Sequence, residues 1–318
     1  MCLERALDIE LRTLGPEDVD VAASYSNLAL IYQDLGELKL AKKFQQHALD
    51  IEIKQLGAEH VDVATSYSNL ASIHQDLGDL EQAMDCQQRA LSIEQGKLGR
   101  EHVAVATSYS HLALIHRDLG DFKQAKEYQQ RALDIELEKL GPEHVDVAKS
   151  YTNLAVIHQD LGDLEQAKEY QIDALTTELK NLDSEHFAVA KDYSNLASIH
   201  RDLGDLMKAK EYQQRALDIQ SKKLGREHID VAKSYSNFAL IYRDLGDLKK
   251  AKEYQELALN IQLDKLGEEH FTVVYFDYII FVSLVIFALY YIWPLLKYLN
   301  ILLNTLTTIY FISRVLNL

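Results

Sequence analysis

Residues 24–36 read SYSNLALIYQDLG, and nearly the same phrase returns as SYSNLASIHQDLG at 66–78, SYSHLALIHRDLG at 108–120 and SYTNLAVIHQDLG at 150–162. It comes again as DYSNLASIHRDLG at 192–204 and SYSNFALIYRDLG at 234–246. Every copy starts 42 residues after the last. A fixed period of this length marks an array in which each unit is one supersecondary element. Such an array grows by stacking, so the 318 residues need not divide into two ordinary globular domains.

Residues 59–98 represent one unit. Tyr67, Leu70, Ala71 and His74 fall at i, i+3, i+4 and i+7, the stripe of an amphipathic helix. Gly78 just past it can take the left-handed conformation that closes a helix. Leu80, Ala83, Met84, Ala90, Leu91 and Ile93 outline a second helix, ended by Gly99. Pro16 and Pro142 follow such glycines, where proline is tolerated at a helix start, and a neighbouring Glu favours that end of the dipole. Asp183 replaces the terminal glycine in NLDSEH, so the turn between the fourth and fifth units is expected to differ. Ala71, Ala83 and Ala90 recur in all six full units, and small residues at fixed places let helices approach closely.

Tyr67, Leu70, Ala71, His74, Gly78, Ala83 and Ala90 match the spacing of the tetratricopeptide repeat. The 42-residue variety, with NLA, LGDLEQA, RALDI and LGPEH, resembles the kinesin light chain repeats and those of nephrocystin-3-like proteins. The resemblance covers roughly residues 1–270. It implies an all-α, right-handed superhelical solenoid of antiparallel helix pairs: a half repeat at 1–15, six 42-residue units, and an apolar helical tail at 271–318. No kinesin-light-chain heptad region is present. Cys2–Ile9 (CLERALDI) lines up with Cys86–Ile93 (CQQRALSI), so the chain opens partway through a repeat, as a piece of a longer array or an incomplete gene model would.

The formal net charge of −16 is uneven. One of the 49 acids and two of the 33 bases lie beyond residue 270, so the array's 48 acids and 31 bases leave it at −17. A body that acidic lacks the positive footprint that nucleic acid requires. Cys2 and Cys86 are the only cysteines and lie within the repeat pattern, which argues against a disulfide framework and suits a reducing, cytoplasmic setting. MCLERALDIE has no signal-peptide core.

The twelve histidines do not suggest a metal centre. His60, His102, His144, His186, His228 and His270 share one repeat position, and His74, His116, His158 and His200 another. Equivalent positions in stacked units stand about two helix diameters apart, too far to share an ion. Ser, His and Asp recur in every unit, but an array copies structure rather than active sites. With no Gly-rich phosphate loop and no Cys-x-x-Cys, the reading is non-catalytic, with no cofactor and no metal. Tyr25, Tyr67, Tyr109, Tyr151, Tyr193 and Tyr235 lie on the apolar stripe and read as packing residues rather than a recognition ladder. The acidic QDLGDL turns read as solvated, with their Asp starting the second helix.

A more promising face lies beside that stripe. It carries Asn27, Asn69, His111, Asn153, Asn195 and Asn237, one per unit. A side-chain amide both donates to and accepts from a peptide backbone. If these residues line the inner curve, they form a ladder for an extended peptide, each bond worth about 1 kcal/mol net. The family resemblance implies an Asn in this role. The alternative is that each amide merely bonds a neighbouring helix.

The same face changes charge along the chain. Ala23, Thr65 and Thr107, one turn before the amide, give way to Lys149, Lys191 and Lys233. Gln33 and Gln75, further along, give way to Arg117, Arg201 and Arg243, with Gln159 the exception. The expectation is a basic inner face in the C-terminal half that prefers acidic peptide segments.

After LGEEH the pattern breaks. Tyr278–Leu296 is 19 residues without a formal charge, enough for one membrane crossing, with Tyr290, Tyr291 and Trp293 suited to an interface. The tail reads either as a membrane anchor or as read-through of AT-rich noncoding sequence; a hydrophobic cap is disfavoured, because solenoid ends call for a polar outer face. Three functions stand open: a peptide-binding scaffold such as a kinesin-light-chain-like cargo adaptor, a fragment of a larger signalling protein, and a membrane-anchored receptor.

Overall fold

In a computed structural model of the chain, described over residues 2–264, every element is a helix. Helix α1 (Cys2–Thr13) is the second half of a leading unit. Pairs follow: α2 (Val19–Asp34) with α3 (Leu38–Leu56), α4 (Val61–Asp76) with α5 (Leu80–Leu98), and α6 (Val103–Asp118) with α7 (Phe122–Leu140). Then come α8 (Val145–Asp160) with α9 (Leu164–Asn181), α10 (Phe187–Asp202) with α11 (Leu206–Leu224), and α12 (Ile229–Asp244) with α13, residues 248–264. Each helix packs on the next in chain order, so a unit touches only its neighbours. The expected tail at 271–318, its 278–296 segment and His270 lie outside the described residues. Among the described residues no helix is long and apolar enough to cross a membrane.

Each first helix opens on a side-chain cap. Asp18 accepts from the backbone N–H of Asp20 at 2.9 Å. At the equivalent place His60, His102, His144, His186 and His228 accept through Nδ1 from the N–H two residues on, at 3.1–3.2 Å. Pro16 and Pro142 therefore sit in the turn ahead of the cap rather than at the helix start. Four of the glutamates beside the caps do more than meet a dipole, because each reaches the end of its own unit's second helix. Glu101 meets Lys139 at 3.3 Å and Glu143 meets Lys180 at 3.0 Å, and Glu17–Lys54 and Glu185–Lys222 repeat the pair.

Glycine closes the helices. At Gly78 (φ 77°) the chain turns, and the Asp79 N–H returns to the His74 carbonyl at 2.9 Å. Second helices end at a glycine such as Gly141, whose φ 84° and ψ 161° lie in a region essentially closed to other residues. Asp183 cannot take that conformation cheaply. Accordingly α9 stops at Asn181, one residue early, and Leu182 adopts an ordinary extended φ of −122°. The Asn181 amide then donates to the Thr177 carbonyl at 2.9 Å and supplies part of the cap.

The alanines mark where one unit seats the next. Ala29 and Ala41, both fully buried, pack with Ile73 of the following unit, and Ala113 and Ala125 pack with Ile157 in the same way. The Tyr67-type tyrosines are half-buried packing residues, as their stripe implied. Tyr151 stacks on Tyr170 at 6.1 Å and Tyr193 on Tyr212 at 6.0 Å.

Candidate functional site

The amide row runs down successive first helices, one residue each on α2, α4, α6, α8, α10 and α12. Asn27 and His111 are exposed, while Asn69, Asn153, Asn195 and Asn237 are half-buried. Asn153 Nδ2 donates to Gln129 Oε1 of the preceding second helix at 3.3 Å, so this member does bond a neighbouring helix. Asn195 Nδ2 is buried with no partner. The His111 imidazole is open to water, yet desolvation by surrounding protein pushes its pKa below the ordinary value.

The six basic positions fall into two sets. The arginines belong to a ladder between first helices. Arg117 Nε lies 2.5 Å from Asp160, and Gln159 reaches Asp202 and Gln75 reaches Asp118 at the same offset. Arg201 lies 3.1 Å from Asp202 and 3.8 Å from Asp244, and Arg243 pairs with Asp244 at 2.9 Å. The charges expected at Arg117, Arg201 and Arg243 are thus matched by carboxylates. The lysines are more open. Lys149 and Lys233 are about two-thirds exposed and rest on Asp146 and Asp230, one turn back at 2.8 and 3.0 Å. Lys191 is exposed, with no ion pair among the described residues.

Lys149, Asn153 and Lys191 come together. With Thr152, Glu178, Phe187, Ala188 and Asp192 they line a cavity of about 440 Å³ where α8, α9 and α10 meet. Behind the first helices runs a buried relay. Gln45, Gln87, Gln129 and Gln213 on the second helices donate to Ser66, Ser108, Ser150 and Ser234 at 2.8–3.0 Å. The serine hydroxyls in turn serve Glu52, Glu94, Glu136 and Gln220. Burial pushes those glutamates above the usual carboxylate range, and the serine hydrogen bond opposes the shift. At the cavity the serine is replaced by Asp192.

Three histidines of the apolar stripe pack in the core. His74, His158 and His200 are buried, burial lowers their pKa values, and His158 and His200 pack on Tyr170 and Tyr212 at 5.3 Å. Their neighbouring aspartates divide between two roles. Asp121 and Asp205 cap the second helix as expected, whereas Asp79 and Asp163 make no cap bond and turn toward His74 and His158 at 3.4 and 3.1 Å. Among the described residues no group of three or more His, Cys, Asp or Glu converges to hold a metal.

Sequence reading misses the glutamine relay, the histidine caps and the acid at 192. Each left a trace. A glutamine returns every 42 residues within a buried helix face, Asp18 holds the histidine-cap position in the first unit, and Asp192 alone breaks the row of serines.

The tetratricopeptide repeat family matches at residues 1–54, 20–95, 62–138, 104–177 and 189–264. Comparison with curated protein sequences gives no match. Among solved structures, one is of nearly identical TPR-like repeats from a Podosopora anserina protein assigned to the kinesin light chains. It is 26% identical and covers 65% of this chain and 98% of its own, with a TM-score of 0.56. BtubC (BKLC) from P. vanneervenii is also 26% identical, over 84% of this chain and 93% of its own, with a TM-score of 0.57. RapI in its apo form shares the fold at 16% identity, over 76% of this chain and 97% of its own, with a TM-score of 0.56.

Proposed function

This chain belongs to the tetratricopeptide repeat family, and from that premise we propose that it is a non-catalytic scaffold holding extended peptide segments along its first-helix face, acidic segments above others. The kinesin-light-chain-like neighbours support a protein-interaction role, and in its most specific form the reading is a cargo adaptor of that type working in the cytoplasm. The right-handed superhelix that the family resemblance implies would put the amide row on the inner curve.

The observation that carries the acidic preference is the convergence of Lys149, Asn153 and Lys191 on one cavity. Lys191, and Lys149 that rests on Asp146 yet stays two-thirds exposed, flank an amide that can hold a ligand backbone, while the arginines lie less open between aspartates of neighbouring first helices. Charge of this kind chiefly speeds encounter and selects partners, so its effect should weaken with added salt.

Fluorescence anisotropy with a labelled twelve-residue peptide carrying six glutamates, and with its glutamine counterpart, tests the reading. The acidic peptide should bind at least tenfold more tightly, and the Lys149→Glu/Lys191→Glu double variant should abolish the difference. Equal binding of both peptides, or indifference to the double substitution, overturns the acidic preference.

A further inference from the structure

Serine at the relay position both accepts and donates. It takes a hydrogen bond from glutamine and passes its own hydroxyl hydrogen onward, which an ionised carboxylate cannot do. At the junction of the fourth and fifth units the receiving residue is Asp192. Gln171 Nε2 and Thr152 Oγ1 both donate to its Oδ1, at 2.8 and 3.3 Å. Facing it from α9 is Glu178, a second acceptor. Asp192 is 1% exposed and Glu178 7%; Glu178 Oε2 lacks a donor as its counterparts on Glu52, Glu94 and Glu136 do, but here Asp192 Oδ2 adds a second buried carboxylate oxygen without one. The relay closes here only if one of the two carboxyls is protonated.

Both residues line the cavity that holds Lys149 and Lys191. We propose that Glu178 and Asp192 share one proton and that this proton regulates the cavity: carboxylate-bearing peptide segments dock between Lys149 and Lys191 while it is held and are disfavoured once it is released. This rests on the groove reading above and adds a control to it.

The surroundings suit such control. Facing the pair are Lys149 from α8, His186 from the turn before α10, and Lys191 from α10 itself, and Lys149 also holds Asp146 of its own helix at 2.8 Å. With the proton in place, one negative charge lies beneath Lys191 and the Asp146-paired Lys149, and an incoming carboxylate meets less repulsion than it would from two. Loss of the proton doubles the negative charge at the floor. Burial first, and the Glu178 charge second, push Asp192 up to about 7, so the change falls in the range a cell can reach. Because a carboxylate ligand binds the protonated form better, its binding must in turn strengthen proton retention.

The test is anisotropy with the six-glutamate peptide from pH 6 to 8.5 at constant ionic strength, on the full chain and on Asp192→Ser. That substitution installs the residue found at 66, 108, 150 and 234 and keeps every histidine, so other titrations cancel in the comparison. Wild-type affinity should begin to fall just above pH 6 and be down about three- to tenfold by pH 8.5, while the serine variant stays level. Binding without that fall, or the same fall in both proteins, overturns the proton control and leaves the groove reading standing. No binding at any pH overturns both.

Discussion

Arg117 reaches out of α6 to Asp160 at the end of α8, Nε to Oδ2 at 2.5 Å, and so ties two first helices together rather than facing a ligand. Gln75 and Gln159 make the same reach to Asp118 and Asp202. The position therefore requires a donor more than a charge. Arg117→Gln should leave stability within about 0.5 kcal/mol of wild type, as partly exposed pairs contribute little. Asp160→Lys places like charges together and should lower the urea midpoint. A large loss from Arg117→Gln would show that the ion pair itself matters.

Asp192→Ser should stabilise the array in a pH-dependent way. Burial holds the folded-state pKa of Asp192 above the ordinary aspartate value, at about 7. Stability tied to such a group is complete below the unfolded pKa and is lost as pH rises through the folded one, by up to about 1.4 kcal/mol per pH unit. The variant should thus gain on wild type between about pH 4 and 7 and hold a constant advantage above. Urea midpoints at pH 5, 6, 7 and 8 measure it; parallel lines for the two proteins would mean that the pair does not titrate.

His144 caps α8 by accepting at Nδ1, which needs that nitrogen unprotonated. His144→Ala should cost about 0.5–2 kcal/mol, and His144→Asp, imitating Asp18 of the first unit, should recover most of it. Thermal melts of the three proteins decide. Equal melting of the alanine and aspartate variants would assign the histidine to some other role.

Ala113→Leu should overpack the seat that Ala113 and Ala125 form for Ile157, costing about 1–3 kcal/mol. Adding Ile157→Ala should return part of that loss, because it empties the space the leucine needs. A double-mutant cycle reads the coupling. Strict additivity would show that the two side chains do not compete.

Much of this architecture is legible in the sequence. The 42-residue period announced stacked pairs, the Gly78 and Gly99 positions marked helix ends, and Asp183 warned of the shortened α9. Local signals suffice for such features because the determining residues lie within one turn of each other. The fate of the arginines was not legible in the same way. Helix geometry puts Arg117 on the amide side of α6, but its partner lies 43 residues on, in another unit. Only the meeting of α6 with α8 reveals it. The histidine caps escaped for a different reason: imidazole seldom caps, and Asp18 was the single hint.

Because every junction repeats one set of offsets, the array's length is open to change by whole periods. Excising residues 103–144, for instance, would bring α5 against α8 through faces that each already presents to a neighbour, with Gln87 meeting Ser150 where it now meets Ser108. Unequal recombination between copies could thus shorten or extend such a gene without inventing an interface. The segment holding Asp192 is the exception, since duplicating it would duplicate an acid where its siblings carry a hydroxyl.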